Sequence, residues 1–149
     1  MRKRILLATI LTILIITGCV TTESLPGSKT FTKFDFSKYS EKGFLFTPEG
    51  YNDDYQSIGM INITFWPEVL KKGDKPDPAK SYRTTFSAGN RWFIERLNMQ
   101  TAIDSMYSKA TEMGADAVIR FNANYKTKRH AMMTIVGIDV TGFAIKRTD

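Results

Sequence analysis

The chain has 149 residues, a net charge of +6 and a single cysteine, Cys19. One cysteine excludes an internal disulfide and any metal site built from several thiolates, so stability must come from packing. Hydrophobic residues at 42% and aromatics at 12% supply enough apolar material for one core, and the length suits one domain.

Met1 to Arg4 is a basic opening, and Ile5 to Ile16 is an apolar run of signal-peptide length. That run is shorter than the roughly 20 residues a membrane-spanning helix needs. Ile16-Thr17-Gly18-Cys19 follows and resembles the lipobox of bacterial lipoproteins. Thioether attachment of a diacylglycerol needs a thiol, and Gly18 supplies the small residue required before it. The chain is therefore expected to divide into a leader (1–18), a lipidated polar tether (19–30) beginning at Cys19, and a single domain (31–149). Losing Arg2, Lys3 and Arg4 with the leader halves the net charge. With an exported location, that argues against a nucleic-acid partner. The expected partner is a membrane, reached through the lipid on Cys19. Val20, where resemblance to Gram-negative lipoproteins would put Asp in an inner-membrane protein, favours the outer membrane facing the periplasm.

In the domain, Phe31, Phe34 and Phe36 precede a turn, and Phe44–Thr47 is a short β-prone stretch ended by Pro48. Ser57–Trp66 alternates apolar Ile61, Ile63 and Phe65 with Asn62 and Thr64, the pattern of a half-buried strand. Residues 67–90 are rich in Pro, Gly and Lys and read as the longest irregular stretch, with a short strand available at Tyr82–Phe86. Arg91–Met113 lacks Gly and Pro and predicts a long helix capped by Asn90. Met99, Ile103, Met106, Ala110 and Met113 would form its apolar stripe, and Gly114 would stop it. Ala117–Tyr125 alternates with apolar residues at the odd positions, 126–130 reads as a polar hairpin connection, and Met132–Lys146 predicts a second long strand. Its apolar face changes parity near Gly137, which predicts a bulge there. The expected fold class is α+β, a small antiparallel or mixed sheet with one long helix on one face, in β-β-α-β-β order.

Ala110-Thr111-Glu112-Met113-Gly114-Ala115-Asp116-Ala117-Val118-Ile119 resembles the helix-exit segment of the YbjQ family. Val140-Thr141-Gly142-Phe143-Ala144-Ile145-Lys146 is similar to that family's closing strand. RcsF-type outer-membrane lipoproteins have a similar junction. The resemblance covers 110–146 best and implies a fold more than a function. It implies ring-forming oligomers and a heavy-metal-binding role for the YbjQ type. No metal-ligand motif maps onto these residues, and the disulfides of the RcsF type have no cysteine here to form them.

The remaining candidates are weighed against ordinary solvated surface. His130, the only histidine, sits beside Lys126, Lys128 and Arg129, which disfavour a bound cation. Glu49, Asp53 and Asp54 could hold calcium but match no EF-hand spacing. Lys71, Lys72, Lys75 and Lys80, with the 126–129 cluster, could meet headgroups or an acidic polymer. Phe65, Trp66, Trp92 and Phe93 could line a pocket, although their spacing suits core. No catalytic motif is present, and an enzyme would need a cleft gathering carboxylates such as Glu68, Glu95 and Asp139. The expectation is a non-enzymatic, cofactor-free lipoprotein working by binding or assembly, a homo-oligomer formed through sheet edges being one form. The alternative is a small-ligand or metal-ion sensing module.

Overall fold

In the computed structural model, the described residues are 33–130 and 132–148. The leader, Cys19 and the tether lie outside them, as does Phe31.

A short helix, α1 (Ser37–Ser40), precedes β1 (Leu45–Phe46) and β2 (Tyr55–Phe65). Next come β3 (Val69–Lys71), β4 (Tyr82–Ser87) and β5 (Asn90–Glu95). The main helix α2 (Met99–Glu112) leads into β6 (Ala117–His130) and β7 (Met133–Arg147). The fold is α+β. A mixed four-stranded sheet has the order β1-β6-β7-β2, and a smaller antiparallel sheet has the order β3-β5-β4. The β1–β6 pair is parallel, and the long β6–β7 and β2–β7 pairs are antiparallel. Lys33 to the C-terminus forms one compact unit.

The helix starts later than its composition predicts. Trp92, Phe93 and Ile94 are strand-favouring residues, and β5 is paired on both edges, by β3 and by β4. That pairing overrides helix propensity over 91–95. The cap is Asn98 rather than Asn90. Its extended backbone lets its side chain accept a hydrogen bond from Gln100 N at 2.9 Å. Met99, Ala102, Ile103, Met106 and Ala110 form the buried stripe. Met113 is not part of it, because it sits past the last turn and is 43% exposed. Gly114, at φ +86°, makes the left-handed exit.

The stripe packs on one face of the four-stranded sheet, against Ile61, Val118, Phe121, Ile138, Val140 and Ala144. Phe34, Phe36, Phe44 and Phe46 close that core with edge-to-face and stacked ring contacts. Tyr39 pins α1 to α2. Its ring is 1% exposed, and its hydroxyl donates to Asp104 Oδ1 at 2.6 Å.

Three expectations about β6 and β7 change. Residues 126–130 are strand, paired from Lys126↔Gly137 to His130↔Met133. Backbone pairing needs no apolar side chain, so polarity misled there. The bulge lies not at Gly137, where the register runs unbroken, but across from Gly142, where Arg120 and Phe121 stand between the pairs Ile119↔Phe143 and Asn122↔Thr141. It moves the apolar odd positions of β6 from one face to the other. Phe121 faces the helix, whereas Ala117 and Ile119 pack on the opposite face with Ile145, Leu45, Tyr51 and Phe143. Gly137 is glycine because a Cβ there would meet Phe65 O and the Trp66 ring, each at 2.6 Å.

Candidate functional site

The residues singled out from sequence do not converge on one place. His130 lies at the end of β6 and shares a shallow cleft with Pro67, Val69, Lys128 and Ile135. Asp53 and Asp54 are exposed. Glu49 engages the sheet through its backbone oxygen, which accepts from Arg120 N at 2.9 Å. Among the described residues, no group of three or more His, Cys, Asp or Glu side chains is placed to hold a metal ion.

Glu68 and Glu95 do meet, around Lys80. Lys80 Nζ lies 3.0 Å from Glu68 and 3.7 Å from Glu95, and the Tyr82 hydroxyl donates to Glu68 at 2.7 Å. Glu95 Oε2 accepts from Glu68 N at 2.9 Å. These contacts tie the start of β3 to β4 and β5, and the Tyr82 and Lys80 donors hold the Glu68 carboxyl below its ordinary range. Asp139 is elsewhere, on central strand β7. Its carboxylate accepts from Thr64 Oγ1 at 2.5 Å and pairs with Lys126 Nζ at 2.9 Å. These donors, Thr64 foremost, lower its pKa. The three carboxylates therefore form no common cleft. The aromatic set is likewise divided. Phe65 packs against the helix core, Trp66 lies on Gly137 and under Lys128, Trp92 shares a crevice with Met133, and Arg91 sits over Phe93.

Two other surfaces gather side chains. The first is a groove between α2 and β2, of about 510 Å³, lined by Met60, Asn62, Ile63, Ser105, Lys109 and Met113. It runs beside a free strand edge: β2 is 11 residues long and pairs only with β7 among the described residues. The second is a pocket of about 270 Å³ on the sheet face away from the helix, lined by Tyr55, Ser57, Met60, Ile119, Arg120, Thr141 and Phe143, with Gly142 beneath. Cross-strand pairing puts Met60, Phe143 and Ile119 in one row and Asn62, Thr141 and Asn122 in the next. Thr64, Asp139 and Asn124 form the third row.

Neither surface was visible from spacing. Arg120 reads as one polar member of a clean alternation, and nothing local marks it as a bulge. The only sequence hint was Gly142, whose missing side chain lets the bulge and the helix approach: a Cβ there would lie 2.3 Å from Val118 Cγ1.

The class these features define is a small α+β domain. No protein-family model and no curated protein matches the chain. Among solved structures it is similar to a protein of unknown function of the DUF74 family from Pediococcus pentosaceus. The likeness has 14% sequence identity and a TM-score of 0.43, over 71% of this chain and 99% of that one.

Proposed function

We propose that the chain is a lipid-anchored, non-enzymatic envelope protein whose domain works by assembly, adding a second copy of itself along the free edge of β2. The free edge carries this reading. Eleven residues of strand present unpaired backbone donors and acceptors on one side, a ready template for another strand. Of the usual devices that blunt an edge, β2 has only a bulge near its start, between Ser57 and Gly59. β2 contains no proline and no charged residue. The groove beside it exposes Met60, at 76%, and Met113, at 43%, which a second copy would cover. The lipobox at Cys19 supplies the anchor in this reading, and outer-membrane placement follows from Val20.

Light scattering on residues 33–149 tests the assembly, since among the described residues the buried core runs from Tyr39 to Ile145 with Phe34 and Phe36 packed against it, and Lys33 onward forms one compact unit. The expected result is a mass above that of the monomer. Proline at Asn62 and at Ile63, made separately, should sort the edge. In an antiparallel pair neighbouring residues point their N–H groups to opposite sides. One variant should therefore stay folded and become monomeric. A monomeric parent at high concentration refutes the assembly reading. Unchanged membrane association of Cys19→Ala in the full chain refutes the anchor.

A further inference from the structure

The backbone of Arg120 has φ +52°. It is the first residue of a bulge in which Arg120 and Phe121 together oppose Gly142. That position in a bulge is the habitual place of glycine, because a side chain there crowds the following carbonyl. The fold fixes this geometry firmly. Arg120 N donates to Glu49 O, and Phe121 N donates to Thr47 O, each at 2.9 Å. The bulge therefore needs the left-handed conformation, yet it carries a long cationic side chain where a glycine would be unstrained. Strain alone assigns no task, since Ala88 shares it at φ +48°; what sets Arg120 apart is the cationic side chain it holds beside a pocket.

The pocket supplies the rest of the chemistry. Its apolar surface comes from Met60, Ile119 and Phe143, and Tyr55 adds a ring, itself set against Tyr51 at 6.3 Å. Ser57 and Thr141 contribute hydroxyls. No carboxylate lines it, and Arg120 takes part in none of the ion pairs among the described residues. A guanidinium beside two hydroxyls, at the rim of an apolar and aromatic floor, is complementary to an anionic head on an apolar body. At about 270 Å³ the pocket lies at the small end of ligand sites, so it suits a small ligand.

We propose that this pocket is a binding site for a small amphipathic carboxylate, with Arg120 holding the carboxylate and Met60, Tyr55 and Phe143 the apolar body. The site lies on the sheet face beside the strand edge and shares Met60 with the groove there; its test reads ligand binding and needs no assembly.

The experiment uses octanoate as the probe on residues 33–149, read by amide chemical shifts in a titration. Saturable shifts are expected at Ser57, Thr141, Gly142 and Phe143, with octylammonium producing none at those positions. Arg120→Gln keeps the backbone strain and removes the charge. It should weaken octanoate at least about tenfold while leaving the rest of the spectrum in place. Arg120→Gly should abolish binding and raise the melting temperature, because it releases the left-handed strain. Equal binding of octylammonium, undiminished binding to Arg120→Gln, or no shifts at these residues up to millimolar octanoate would each overturn the proposal. A lowered melting temperature for Arg120→Gly would overturn the strain argument on which it rests.

Discussion

Alanine at position 142 would put a methyl carbon 2.3 Å from Val118 Cγ1. Carbon atoms in contact rest at about 3.5–4.0 Å, so something must move by more than about 1 Å. Val118 has no room to yield. It is fully buried, and its strand is paired by β1 on one side and β7 on the other. Met106 Sδ, 3.6 Å from the same point, closes the helix side. Overpacking of this kind costs about 3 kcal/mol, near the upper end of its usual range. Val118→Ala alone removes two buried methyl groups and should cost about 2 kcal/mol. In the double variant the new methyl occupies the space Val118 gives up. The two costs should not add: the double variant should lose about 2 kcal/mol rather than about 5, a coupling of about 3 kcal/mol. Urea denaturation followed by circular dichroism measures all four corners of this cycle. The variant carrying both substitutions is expected to be more stable than Gly142→Ala alone. Additive losses, or a Gly142→Ala variant within about 0.5 kcal/mol of the parent, would refute the packing derived for the helix–sheet junction.

Two further outcomes follow from other sites. The folded state holds the Asp139 carboxyl below its ordinary value of 3.8 through Thr64 and Lys126, so the stability it contributes is complete above that value and fades as pH falls through the lowered one. Asp139→Asn should therefore cost about 1 kcal/mol at pH 7, and the difference from the parent should shrink below pH 3.8; a constant difference down to acid unfolding argues against the ion pair. In the β4–β5 hairpin, Ala88 at φ +48° and Gly89 at φ +76° form a two-residue turn, so Ala88→Gly, or Asn, which tolerates that backbone, should raise stability by about 0.5–1 kcal/mol in thermal melts.

The period-two and helical patterns located most of the paired backbone because burial imposed them. Ile61, Ile63 and Phe65 share a face as their alternation requires, and Met99 through Ala110 line the helix. What stayed hidden depends on contacts distant in sequence. Arg91 to Glu95 is strand only because Val69–Lys71 and Tyr82–Ser87 lie on either side of it. Likewise Met133 and Ile135 are buried on the face opposite to Ile138 and Val140, not through a bulge at Gly137 but because different elements cover the two faces. Arg120 was least legible. Its alternating neighbours Ile119 and Phe121 would share a face in a regular strand, and only the three-dimensional register shows that they do not.

The position of β7 has a consequence for the order in which this domain can form. It is the strand that β6 and β2 share as a neighbour, and β2 meets it across some eighty residues of chain, from Phe65↔Ile138 to Tyr55↔Arg147. Before residues 133–147 are available, the helix has only half a surface to lie on, and β2 has no partner in its sheet. Ile61, Ile63 and Phe65 then belong to a strand with two open edges. Pairing over such a separation is slow, and an intermediate of that kind is prone to associate through its edges. The domain should therefore appear in a single late step, with the last strand laid into the middle of the sheet rather than added to its side.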